Sequence, residues 1–179
     1  MSIKGKINLD DIWPQERDFL ARPDRLQYVR KLTRPKTCVF CEVQKQEPAL
    51  HTLCLYKDNK AMVVVNKYPY NTAHLLVIPN THQGDMLELP EATYIRVQML
   101  IRASVAILKK VYSPEGFNIG LNHGSVAGAG IPKHIHWHIV PRWNGDTNFF
   151  PVIAETKVLP ETAEQSYERL TKEFKELKI

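Results

Sequence analysis

Hydrophobic positions along the chain recur with two periods, and the changes of period divide it into elements. Residues 53–56 and 61–66 are apolar runs of strand length; the short Asp58-Asn59 link between them is a turn signal, so they form an antiparallel hairpin, and 73–79 supplies a third strand. From 90 to 112 the period becomes helical. Tyr94, Val97, Ile101, Val105 and Leu108 fall on one stripe and Arg96, Arg102, Lys109 and Lys110 mostly elsewhere, so this helix covers one sheet face. Pro90 suits its first turn, and Ser113-Pro114-Glu115-Gly116 ends it. Strand alternation returns at 117–121 and 134–142, part of 149–158 reads as strand, and 161–177 is an amphipathic helix with Tyr167, Leu170 and Phe174 on one side. At the front, helical spacing over 15–32 is interrupted by Pro23, giving two short helices that end before Arg34-Pro35.

The stretch His134-Ile135-His136-Trp137-His138-Ile139-Val140-Pro141-Arg142 is the one where the pattern carries chemistry. Side chains two apart on a strand stand about 6.6 Å from each other on one face, so the three imidazoles form a row while Ile135, Trp137 and Ile139 enter the core. Such a row fits a metal-binding strand or a merely structural one. Neither accounts for the small-residue loop just upstream, Gly124-Ser125-Val126-Ala127-Gly128-Ala129-Gly130, whose backbone N–H groups can approach a ligand oxygen closely. One imidazole acting as nucleophile, with neighbours that fix its tautomer and a loop that receives a phosphate, accounts for both.

Composition narrows the setting. A chain of 179 residues is of single-domain size, with 44% hydrophobic and 24% charged residues and no apolar run near the ~18 that a membrane span needs. The net charge of +5 favours an anionic ligand. Its basic residues lack the aromatic interleaving of a nucleic-acid groove, so no nucleic-acid or membrane partner is expected. Residues 1–13 lack the apolar core of a signal peptide, and three cysteines do not make a disulfide framework, so the cytoplasm is the expected compartment. Cys38-Val39-Phe40-Cys41 reads as zinc, a redox pair or coincidence; no βαβ context supports the redox reading, so zinc is favoured. Two further ligands would come from His51, His74, His82, His123, His134, His136 and His138, among which spacing does not choose.

His-Ile-His-Trp-His-Ile-Val matches the histidine triad (HIT) signature, three histidines alternating with apolar residues. Residues 66–75, 116–122 and 141–149 resemble the branch of that family containing bacterial diadenosine tetraphosphate phosphorylases and hydrolases. The resemblance covers about residues 36–160. It implies a single α+β domain of HIT-like fold: an N-terminal helical extension over 1–35, a core over 36–160 with an antiparallel sheet of about five strands and a long helix on one face, and a C-terminal helix over 161–179.

The resemblance also implies an enzyme that cleaves dinucleoside polyphosphates at the α-phosphate. In it, His136 would attack phosphorus to form a nucleotidyl-histidine, His138 would hydrogen-bond phosphate oxygens, and His134 would complete the triad. Asn66 would bind a ribose hydroxyl. Asn122 and the backbone of Gly128, Ala129, Gly130 and Ile131 would hold phosphate oxygens, and Trp143 would join the substrate-binding set. Where many relatives carry Ser or Thr before the triad strand, this chain has Gly130-Ile131-Pro132, which leaves Lys133, Ser125 or His123 to substitute. By match to zinc-containing members, Cys38, Cys41, His82 and His134 would bind a structural zinc. The resemblance further implies a homodimer, and Met99, Leu100 and Ile107 give the long helix more apolar surface than one sheet contact needs. The alternatives are a nucleoside phosphoramidase or adenylyl-hydrolase, and a zinc-stabilised nucleotide-binding sensor with little turnover.

Overall fold

In the computed structural model, which describes residues 37–146 and 159–179, Asp58 makes the first reversal of the sheet. Its Oδ1 accepts the N–H groups of Lys60 (2.8 Å) and Ala61 (2.9 Å), so the side chain replaces backbone partners in the tight link between β1 (Cys54–Lys57) and β2 (Ala61–Val65). Asp58 Oδ2 also receives Arg96 Nε, which ties this turn to the long helix. β3 (Leu75–Pro79) pairs antiparallel with β2, β5 (Trp137–Arg142) with β3, and β4 (Gly116–Gly120) with β5. The order β1-β2-β3-β5-β4 is the expected five-stranded antiparallel sheet of an α+β fold.

A six-residue helix, α1 (Val39–Gln44), precedes the sheet. The long helix α2 (Glu91–Tyr112) packs on β2, β3 and β5, and α3 (Ala163–Lys175) lies beside it against β1 and β2. Thr162 starts α3 with a capping box: its hydroxyl accepts the Gln165 N–H, and the Gln165 side chain accepts the Thr162 N–H. The face of α2 toward the sheet is Thr93, Val97, Leu100, Ile101, Ser104, Ile107 and Leu108. Two corrections follow. Leu100 and Ile107 belong to the core rather than to a second face, and Tyr94 is 38% exposed. Outward apolar surface remains at Ile95 (50% exposed) and Met99 (45%), and on edge strand β4 at Ile119.

Strand boundaries also shift. β3 begins at Leu75, because Ala73 adopts a left-handed φ of 55° that ends any extended run before it. β5 begins at Trp137 and not at 134. The helices expected in 15–32 and the strand expected in 149–158 lie outside the described residues.

Candidate active site and metal centre

Two hydrogen bonds set the path of the triad segment before the β5 ladder begins. The His134 N–H donates to the Ile131 carbonyl (3.2 Å) and closes a turn, and the Ile135 N–H donates to the Gln83 carbonyl (2.7 Å), so 134–136 leads into β5 from outside the ladder. The alternation nevertheless holds: Ile135, Trp137 and Ile139 are buried in the core while the imidazoles face the other way.

Each imidazole has a partner that fixes its tautomer. His136 Nδ1 lies 2.9 Å from the His134 carbonyl oxygen, which can only accept; Nδ1 therefore carries the proton and Nε2 keeps a lone pair. His134 Nε2 lies 2.8 Å from the Pro79 carbonyl, so there the lone pair is on Nδ1. The third chain starts at the backbone. The Tyr70 N–H donates to His74 Nδ1 (3.0 Å), joined by Asn66 Nδ2 at 3.2 Å, which leaves the His74 proton on Nε2 for donation to His138 Nδ1 at 2.9 Å. His138 then carries its own proton on Nε2, a buried atom without a hydrogen-bond partner among the described residues. One lone pair (His136) and one N–H (His138) thus sit on rings whose centroids are 5.1 Å apart.

Burial keeps these rings neutral. Desolvation lowers the His134 and His136 pKa values, against the carbonyl bond that would raise each. For His138, burial and then the neighbouring His136 push the pKa down to about 4. A neutral imidazole with a free nitrogen is a nucleophile at pH 7.

His134 Nδ1 faces a second centre. Cys38 Sγ stands 3.3 Å and Cys41 Sγ 3.6 Å from it, and Cys41 Sγ is 3.1 Å from His82 Nδ1. All four donor atoms lie within 4.8 Å of one another. The edges of a tetrahedron with zinc bond lengths of ~2.0–2.3 Å are roughly 3.3–3.8 Å, so this two-cysteine, two-histidine set fits a tetrahedral metal ion. The Pro79 carbonyl holds the His134 tautomer that ligation requires. Cys54, the third cysteine, lies apart from this centre in β1: it is fully buried, and burial raises its pKa to about 11.

The remaining site residues are partly assembled. Register pairs Gly120 with His138, which brings Asn122, two residues on, alongside the imidazoles. Its Nδ2 reaches the Gly128 carbonyl at 3.5 Å. Within the loop, Gly128 N–H donates to the Ser125 carbonyl and Ala129 N–H to the Gly124 carbonyl, with Gly124 and Gly128 at positive φ (86° and 87°). Those two N–H groups are therefore already engaged, against the expectation that they are open to a phosphate. Lys133 and Ser125 are exposed, and His123 Nε2 pairs with Asp85 Oδ1 at 3.3 Å. Asn66 is drawn into the imidazole chain, its Oδ1 accepting the Tyr68 N–H. Trp143 is not in this cluster: five residues beyond His138, about 16 Å along the strand, its indole N–H donates to the Tyr112 carbonyl at the end of α2. His74 takes a place that sequence reasoning did not give it. The available signal was one histidine immediately before an apolar run; its complete burial is seen only in the fold.

An antiparallel sheet carrying neutral, tautomer-fixed imidazoles beside a glycine loop defines a protein of the histidine triad class. A HIT domain model matches residues 47–145, and the chain belongs to that family. Over 122 residues it is 36% identical to a protein named "AP-4-A phosphorylase" of Mycobacterium tuberculosis, an alignment covering 68% of this chain and 63% of that one; the chain thus spans less than two-thirds of that relative's length. An "Adenosine 5'-monophosphoramidase" of Schizosaccharomyces pombe is 27% identical over 108 residues, 60% of this chain and 76% of that one. Among solved structures, a zinc-bound histidine triad family protein from Mycobacterium smegmatis superposes with a TM-score of 0.62 at 29% identity, covering 78% of this chain and 94% of that one.

Proposed function

We propose that the chain is a nucleotidyl hydrolase or transferase that cleaves dinucleoside polyphosphates, diadenosine tetraphosphate above all, at the α-phosphate. The observation that carries this reading is the pair of complementary nitrogens, a lone pair on His136 Nε2 and an N–H on His138 Nε2. His136 Nε2 attacks the α-phosphorus, a P–N bond forms and the P–O bond to the departing nucleotide breaks. His138 donates its Nε2–H to a phosphate oxygen beside the breaking bond, a charge-stabilising contact of about 2–4 kcal/mol in the transition state. Water or inorganic phosphate then attacks the nucleotidyl-histidine, breaks the P–N bond and returns His136 to its starting form. Asn122 and the residues 128–131, with Lys133, line the phosphate path, and Asn66 stands at the ribose end. The name of the mycobacterial relative supports the substrate class.

In the same reading Cys38, Cys41, His82 and His134 hold a structural zinc, and one domain spans the chain, with 1–35 as an extension of the 36–160 core and 161–179 as the closing helix. Two copies pair through Ile95 and Met99 on α2 and the β4 edge. Product analysis tests the chemistry: diadenosine tetraphosphate with and without inorganic phosphate should give ADP plus ATP by phosphorolysis or AMP plus ATP by hydrolysis. Turnover of adenosine phosphoramidate but not of the tetraphosphate would overturn the substrate assignment in favour of the phosphoramidase reading, which the fission-yeast relative supports.

A further inference from the structure

The segment that carries the two cysteines also touches the proposed nucleophile, His136. Between Cys38 and Cys41, Phe40 is the buried residue of α1, 8% exposed. Its ring meets His134 edge-on, with centroids 5.5 Å apart and planes at 87°, and meets His136 with centroids 5.0 Å apart and planes at 61°. On its Nδ1 side, His136 is held by the His134 carbonyl at 2.9 Å, and His134 is itself one of the four residues whose donor atoms cluster for a metal. Two routes therefore run from the cysteine segment to one imidazole: through the Phe40 ring, and through the backbone of His134.

We propose that the metal knuckle is a positioning device for the nucleophile, with Phe40 clamping the His136 ring against the His134 carbonyl so that Nε2 alone keeps a lone pair toward the substrate. The inference rests on His136 being the nucleophile. Phe40 is a positioning residue, since it acts on substrate only through His136. The physical reason is geometric. A histidine χ2 torsion is broad and roughly two-fold, so one carbonyl bond does not by itself prevent the ring from turning. An aromatic wall on one face removes the space for that turn. A wall anchored at both ends by metal-ligating cysteines cannot retreat.

The test uses the full chain with its metal content measured, in wild type, Phe40→Leu, Phe40→Ala and chelator-treated wild type. Two quantities are read: the His136 tautomer from long-range nitrogen–proton NMR correlations, and kcat and KM with diadenosine tetraphosphate. In wild type the His136 signal should be that of a single Nδ1–H tautomer. In Phe40→Ala retaining its metal it should become a mixture, and kcat should fall about 10- to 100-fold with KM changed less than about threefold, the signature of a displaced reacting group. Phe40→Leu, which restores most of the bulk, should lie between the two and serves if the alanine variant does not fold; chelation should loosen the tautomer as Phe40→Ala does. Unchanged tautomer and kcat in the metal-bound variants, or an unchanged tautomer after chelation, overturns the proposal. If wild type turns over no dinucleotide, the functional reading fails alone, because the tautomer measurement needs no substrate and still decides the positioning claim.

Discussion

Replacing Gly84 with alanine should destabilise the protein through one backbone contact. A Cβ at position 84 would stand 2.5 Å from the Pro132 carbonyl oxygen and 3.2 Å from Lys133 Cα. Carbon-to-oxygen contacts in folded chains begin at about 3.3 Å, so one of the two segments must move by roughly 0.8 Å. Both atoms are main chain, and no rotamer change relieves the clash. The neighbouring Ile135 N–H to Gln83 carbonyl bond, 2.7 Å, holds the segments at this spacing, so the shift strains it as well. Overpacking of this kind costs about 1–3 kcal/mol. For a chain of this size that is a fall in Tm of roughly 3–10 °C. Thermal unfolding followed by circular dichroism, with urea titration for the free energy, measures it. Because residues 130–133 lead directly into His134 and His136, KM for nucleotide should rise in the same variant. An unfolding midpoint within about 1 °C of wild type would mean that the two segments are not held together at this contact.

Other perturbations probe the imidazoles, the metal centre and the outward face of α2. His138, held neutral with a pKa near 4 against the ordinary 6.5, binds its proton more readily in the unfolded chain; its contribution is therefore full above pH 6.5 and is lost as pH falls toward 4. Urea unfolding at pH 7 and pH 5 should show about 1–2 kcal/mol of that loss, after allowance for partial solvent access, and His138→Gln should lose less between the same two pH values; equal losses would contradict it. Cys38→Ser should lose both bound zinc, read by elemental analysis, and stability of at least about 2 kcal/mol, whereas wild type purified with no zinc at full stability would count against the metal centre. Ile95→Arg with Met99→Arg should convert a dimer to monomer in light scattering; a wild-type monomer at micromolar concentration with full activity would show that the outward apolar face is not an interface.

Much of the fold was legible because burial here follows the simple periods. Ile135, Trp137 and Ile139 could be placed inside from alternation alone, and the Asp58 turn from its residue type. The helix stripe was harder. Leu100 and Ile107 lie one position from residues already assigned to the stripe, and a 3.6-residue period does not tell a wide buried face from two narrow ones. At the site, the pairing of the cysteine segment with His134 depends on a contact between residues 93 and 96 apart, which no local pattern encodes. Resemblance to the family supplied that ligand set, including His82. What escaped was hydrogen-bond direction: that Tyr70, His74 and His138 form a single donor chain follows only from two hydrogen bonds of 3.0 and 2.9 Å, and the engagement of Gly128 and Ala129 N–H groups within their own loop follows only from the loop's folded shape.

A nucleophilic His136 forms a covalent bond at one nitrogen, Nε2, and that bond can be trapped. Wild-type protein mixed rapidly with diadenosine tetraphosphate, quenched in base and examined by peptide mass spectrometry, should carry a single adenylyl group on His136, and His136→Ala should carry none and lose turnover while still binding nucleotide. An adenylyl group on another residue, or steady turnover by His136→Ala, would show that His136 is not the nucleophile.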